Sequence, residues 1–401
     1  MEFLNQAETL LDKMESFFLS RSSEPISNYA YNLIMDSYAQ TSGVENRSQR
    51  IRNMMKRMEH LAKIHANPLL LPDKFSYSSL IRAIREEAKP GFNIEIQNVI
   101  QAMKESAQPS MQPDLNIYAL ALDSLSKSND EGAQQQATQL LDDMKKQPDI
   151  QLDDVIYTIM MKIHSNAGDA EKSDDTLASM LDEYRGGNND CRPGERAYRT
   201  AIKSWTRTGG SKAFGRAMRL FEDMIKKFEE GNTRCRPTND TFYELLRILA
   251  QSQEPSKYQI GHALLSGMKK FDLRPSKHVL NMFLNVCASD TGVATRKRAF
   301  ISCLEIFQDL QTTVDGADSF AVHCMLRACE NLLDDAEERE NMASKLYLKF
   351  GTDHRVNPNI LRILCNCVST TQFVSLTGMR ADQICDEALL DSTANAPEKC
   401  N

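Results

Sequence analysis

Proline and glycine are scarce in this 401-residue chain, with 13 and 17 copies, and tryptophan occurs once. So few breakers rule out a loop-rich or fibrous protein and leave room for long regular elements. No cysteine precedes Cys191, and the ten in the chain show no paired framework of the kind a small secreted domain carries. Cys287, Cys324 and Cys329 fall on or beside apolar helix positions, so they are read as reduced core residues. Cys365-Asn-Cys367 is too tight and isolated for a zinc half-site. No apolar run reaches the length of a membrane span. The seven histidines are scattered, with no HExxH and no Gly-rich phosphate loop, so catalysis, a metal and a cofactor are all unsupported. The chain is read as a non-enzyme. A net charge of −7 argues against general polyanion binding, so any nucleic-acid claim needs local charge.

What is present is a repeat. Leu71–Ile84 reads LPDKFSYSSLIRAI: a Pro-Asp break, then apolar residues at Tyr77, Leu80, Ile81 and Ile84, one face of a helix. The slot of Tyr77 returns at Tyr31, Tyr118, Tyr157, Tyr198, Phe242, Leu280 and Val322, at intervals of 38 to 46 residues. Between these helices lies a second apolar-periodic segment closing on Met14, Met58, Met103, Met144, Met180, Met224 and Met268, then on Leu310 and Phe350. Pro-, Gly- and Asp-rich breaks separate the units. A period of this kind sets the fold: helix pairs that cannot bury their stripe alone stack into a continuous core.

The expected fold is all-α, a right-handed superhelical solenoid of stacked helix-turn-helix repeats. Eight complete repeats are expected, over 28–73, 74–114, 115–153, 154–194, 195–238, 239–276, 277–318 and 319–359. Residues 1–27 are expected to hold a second helix only, as in a truncated chain. Residues 360–390 are expected to cap the stack, and 391–401 to be a disordered tail. The amino-terminal stretch lacks the Arg/Ser-rich bias of a transit peptide.

Counting from the residue after each break, places four, seven, eight and eleven are core. The prediction is that Tyr31, Tyr77, Tyr118, Tyr157 and Tyr198 are equivalent and buried. Places two, five and nine form another stripe on the same helix, continued at twelve and thirteen. Bases hold place nine at Arg82, Lys162, Lys203, Arg247 and Arg327, interrupted by Asp36, Asp123 and Asn285. In repeat five, Arg196, Arg199, Lys203 and Arg207 lie along one face. Such a stripe in an acidic chain fits a phosphate-facing surface; a solvated helix face is the plainer reading.

The phrases Ala30-Tyr31-Asn32-Leu33-Ile34 and Phe75-Ser76-Tyr77-Ser78-Ser79-Leu80-Ile81, with the Pro-Asp endings, resemble a pentatricopeptide-repeat protein. The resemblance covers residues 1 to about 359 and is looser from Arg199 onward, and the repeats here are longer than the family's. It implies single-stranded RNA as the partner, one base per repeat, read at place five and the last place. Asn32 with Asp73 and Asn281 with Asp318 resemble uracil readers, and Ser78 with Asp114 a guanine reader. Ala119/Asp153 and Thr158/Gly194 keep half a pair, while Arg199/Thr238, Tyr243/Ser276 and His323/Asn359 match no combination. Place two, which in the family packs against bases, is apolar at Tyr29, Phe75, Val155 and Phe320, but not at Asn116, Arg196, Asp240 and His278. It also implies action in the mitochondrion, or else a plastid, on RNA processing, stability, editing or translation. Repeat five is expected to hold RNA backbone rather than read a base. Against all this, an Asp after Pro is a common helix cap, and the alternative function is a helical scaffold gripping a protein or peptide. Protein partners and oligomeric state stay open.

Overall fold

The structure, a computed structural model, describes residues 2–20, 27–106, 108, 111–128, 132–312, 316–350 and 357–380. Among these residues every regular element is helical. The chain divides into two compact units, Met1–Pro193 and Gly194–Asn401. The first holds α1 (Glu2–Ser20) and four helix pairs. These are α2/α3 (Asn28–Gln40, Arg47–Ile64), α4/α5 (Lys74–Glu87, Phe92–Lys104), α6/α7 (Leu115–Lys127, Ala133–Lys145) and α8/α9 (Asp154–Asn166, Ala170–Arg185). The second unit continues with α10/α11 (Glu195–Thr208, Ala213–Glu229) and α12/α13 (Asn239–Gln251, Lys257–Gly267). Three further pairs are α14/α15 (Lys277–Ala288, Arg296–Thr312), α16/α17 (Ser319–Leu332, Ala336–Phe350) and α18/α19 (Pro358–Cys367, Thr370–Thr377). The protein is an all-α helical-repeat solenoid.

The breaks start helices by capping them. Asp73 Oδ1 accepts the backbone N–H groups of Phe75 and Ser76 at 3.0 and 3.1 Å, and Ser76 Oγ accepts from the Asp73 N–H. Asp114 caps Ile117 N at 3.1 Å and Asp153 caps Ile156 N at 2.9 Å. In the second unit Ser276, Asp318 and Asn357 do the same for Val279, Ala321 and Ile360. Each such cap satisfies a donor that the first helical turn leaves orphaned.

Within each unit every first helix packs on its own second helix and on the next first helix, as α2 does on α3 and α4, and α14 on α15 and α16. The stripe at places four, seven, eight and eleven fills these interfaces: Tyr31, Ile34, Met35 and Tyr38 are buried, as are Phe242, Leu245, Leu246 and Leu249. Tyr118, Tyr157 and Tyr198 are likewise buried. Tyr77 departs from the expectation and is only half-buried, its charged neighbours being Glu59 and Arg52 on α3. Leu280 is half-buried too.

Second helices close on buried Met58, Met103, Met144, Met180, Met224, Met268, Leu310 and Phe350. Met14 does not follow them and is exposed. In α1 the inward place belongs to Glu15, which accepts the Tyr31 hydroxyl and the Arg57 guanidinium. Among the described residues eight cysteines are free thiols, seven of them buried, and no cluster is arranged to hold a metal. No described helix is long and apolar enough to cross a membrane. The α18/α19 pair packs on α16 and α17. The expected tail at 391–401, and 381–390 of the expected cap, lie outside the described residues.

Candidate nucleic-acid interface

Places two, five and nine lie three and four residues apart, so a first helix presents them as one row. The last-place residue caps the next first helix and thereby enters that row from the side. Two of the residue pairs named from sequence meet. Asn32 Nδ2 donates to Asp73 Oδ1 at 3.0 Å, and Asn281 Nδ2 donates to Asp318 Oδ2 at 2.9 Å. Asp73 therefore both caps and pairs, which its several acceptor sites allow. Ser76 Oγ closes the first network by donating to Asn32 Oδ1 at 2.6 Å. The buried Asn281 Oδ1 has no hydrogen-bond partner among the described residues.

Two other expectations are not joined. Ser78 Oγ donates to its own helix, at Lys74 O (2.8 Å), while Asp114 faces Lys74 Nζ at 3.6 Å. Thr158 is buried and spends its hydroxyl on Asp154 O at 2.6 Å. Small hydroxyl side chains on helices commonly fold back on the preceding turn in this way.

At place two, Tyr29 and Phe75 are 72% and 73% exposed, so these rings project from the helices instead of joining the core. Val155 and Phe320 are exposed as well. The Asn32–Asp73 bond thus joins two first helices that each carry an exposed ring at place two, Tyr29 on α2 and Phe75 on α4. Asn116, Arg196, Asp240 and His278 are exposed at the same place.

Place nine is less open than its sequence suggests. Arg82 Nη1 meets the carboxylate of Asp36, the place-nine residue of the preceding repeat. Arg327 Nη1 donates to Asn285 at 3.2 Å in the same manner, and Arg247 faces Glu244 at 3.1 Å. Asp123 is engaged by Arg85 at 2.9 Å. Of the interruptions in the basic series, Asp36 and Asp123 are counter-charges to arginines of the second repeat, and the neutral Asn285 is an acceptor for Arg327. Lys162 is exposed and Lys203 half-buried.

In repeat five, Arg196 and Arg207 are exposed, whereas Arg199 Nε donates to Glu195 at 2.9 Å. Relief for this basic row comes from Glu195 and from buried Glu244, to which Arg247, Lys203, Arg199 and Arg207 all contribute favourable field. Burial still leaves the Glu244 carboxyl above the usual carboxylate range.

Place one is the contributor that sequence reasoning missed. Asn28 Nδ2 donates to Asp73 Oδ2 at 2.8 Å, and Lys277 Nζ lies 3.9 Å from Asp318. Glu195 accepts from Thr238 Oγ1 at 3.0 Å, and Asn239 Oδ1 accepts the Ser276 N–H at 2.9 Å. The signal was available, because place one stands four residues before place five on the same face.

No family model matches this sequence, and no curated protein matches it. Solved structures do. The crystal structure of the pentatricopeptide repeat protein PPR10 from maize aligns with a TM-score of 0.51 and 16% identity, covering 98% of this chain and 52% of that one. The same protein in complex with an 18-nt psaJ RNA element aligns with a TM-score of 0.40 over the same shares. This chain spans about half the length of the solved chains it matches. Its fold is that of a pentatricopeptide-repeat-like protein.

Proposed function

We propose that the chain binds single-stranded RNA along its row of first helices, reading bases at repeats one, two and seven. The observation that carries this reading is the Asn32–Asp73 side-chain pair, which joins two first helices that each expose an aromatic ring, Tyr29 and Phe75. An unstacked base offers two flat faces to such rings and a polar edge to such a pair, and base–aromatic stacking contributes about 1–3 kcal/mol per base. Asn281 with Asp318 repeats the polar half, with His278 and Phe320 at place two of the two helices it joins. Ser78 with Asp114 is kept as a reader on the family resemblance. Thr158 is kept with them in the weaker sense that its backbone-bonded hydroxyl must first be released.

The exposed cations Lys162, Arg196 and Arg207, with half-buried Lys203, are assigned to the RNA backbone. Arg82, Arg247 and Arg327 join them as residues shared between phosphate and their intramolecular acceptors. The protein acts as a non-enzymatic RNA-binding scaffold in organellar RNA processing, stability, editing or translation. The mitochondrion is the proposed site and the plastid its alternative, both from the family resemblance. The maize protein has also been solved with RNA bound, which accords with the partner class. Selection from a randomised single-stranded RNA pool by the purified full chain tests the reading. Enrichment of a short motif with uracil at defined positions is expected; unselective recovery of the pool would refute it.

A further inference from the structure

Repeat five matches none of the reading pairs the family resemblance supplies, yet its place-one residue is firmly bonded. Glu195 Oε1 accepts three hydrogen bonds. They come from Arg199 Nε at place five (2.9 Å), Thr238 Oγ1 at the last place (3.0 Å) and Thr241 Oγ1 (2.7 Å). The Glu195 side chain is 14% exposed and that of Arg199 29%. A carboxylate so held is a fixed post, not a mobile surface group.

The polarity is the reverse of repeats one and seven. There the last place is an acceptor, Asp73 or Asp318, and place one is a donor, Asn28 or Lys277. In repeat five the acceptor stands at place one, and the last place offers a hydroxyl already donated to it. What remains for a base is Arg199. Its Nε is taken, and among the described residues neither Nη group carries a hydrogen bond. The guanidinium is planar, so fixing Nε leaves its two Nη groups as an end-on fork of parallel N–H donors.

Resting on the RNA-binding reading, we propose that Glu195, Arg199 and Thr238 form an inverted reader in which the Arg199 fork takes guanine at O6 and N7. Two neighbouring acceptors on one base edge match the fork, and this pairing is the commonest specific arginine–base interaction. Adenine places an amino donor beside N7 and uracil separates its carbonyls with N3–H, so both meet the fork with a donor. Arg199 touches the base. Glu195 is a positioning residue that acts through it.

The test is selection from a randomised single-stranded RNA pool by the full chain and by three variants, Arg199→Lys, Arg199→Ala and Glu195→Gln. The wild type should show one guanine position that both Arg199 variants make degenerate, by roughly five- to 150-fold in preference. Arg199→Lys should do so with its salt slope kept, because lysine retains the charge and loses the fork. Glu195→Gln should weaken the same position and leave the uracil positions intact, with helicity by circular dichroism unchanged. Should that variant fail to fold, the Arg199 pair decides the matter. A cytosine at the affected position, or an unchanged consensus in folded Arg199 variants that still bind RNA, overturns the inverted reader alone. A pool that is not enriched by the wild type overturns the RNA-binding reading and this inference with it.

Discussion

Asn281 and Asp318 illustrate how much one side-chain pair carries. Their hydrogen bond joins a first-helix residue to the cap of the next first helix, so the pair is both a structural clasp and a polar edge. Replacing Asn281 with Ser while keeping Asp318 should shift the base preferred at that repeat from uracil toward guanine. Selection before and after the change measures it, and an identical consensus would show that the pair does not read. Capping is separable from reading. Asp73→Ala should cost about 1 kcal/mol or more in denaturant unfolding through the missing cap, and should also blur one base position. The aspartates are legible in the sequence as caps, and in the structure Asp73 and Asp318 each cap a helix and also accept from the place-five asparagine of the preceding first helix. Place one was legible only as a spacing, four residues before place five, because a single polar residue after a break looks like any first-turn residue until its partner's position is known.

Helices were the most readable level. The apolar stripe of α12 places Phe242 where it packs edge-on against Phe221, ring centroids 5.4 Å apart, and beside Phe271. Phe242→Ala should therefore destabilise the protein by about 3–5 kcal/mol in denaturant unfolding. Where the pattern misled, an unexpected polar group had taken the inward place, as Glu15 does beside Met14. Charge was the least readable feature, since place nine looks free in sequence and is partly neutralised by neighbouring repeats.

Arg196, Lys203 and Arg207 changed together to Ala should flatten the log–log salt dependence of RNA affinity by about 0.7 for each phosphate no longer engaged. An unchanged slope in a folded variant would make them a solvated or protein-facing row. Glu244 on α12 adds a pH dependence. Its native carboxyl holds a proton more tightly than the ordinary value of 4.5, because burial outweighs the attraction of Arg247 and its basic neighbours. Its contribution to stability is thus complete below pH 4.5 and fades as pH rises through the higher native value. Glu244→Gln should remove that part of the slope in pH-resolved thermal unfolding.

At the scale of the whole chain, a period of 38 to 46 residues was enough to announce stacked helix pairs, since only stacking buries such stripes. No family model and no curated protein matches the sequence, while the backbone aligns with a pentatricopeptide-repeat structure at 16% identity. Such repeats keep a core pattern that many residues satisfy, so fold persists where identity does not. The central claim is that this solenoid reads single-stranded RNA through side chains on its first helices. Its most direct test is randomised single-stranded RNA selection with the full chain, scored against a double-stranded pool of the same length. The account predicts an enriched single-stranded motif containing adjacent uracil and guanine, the pair assigned to repeats one and two. Equal recovery of both pools, or a consensus that survives the joint change of Asn32, Asp73 and Ser78 to Ala in a folded protein, would contradict it.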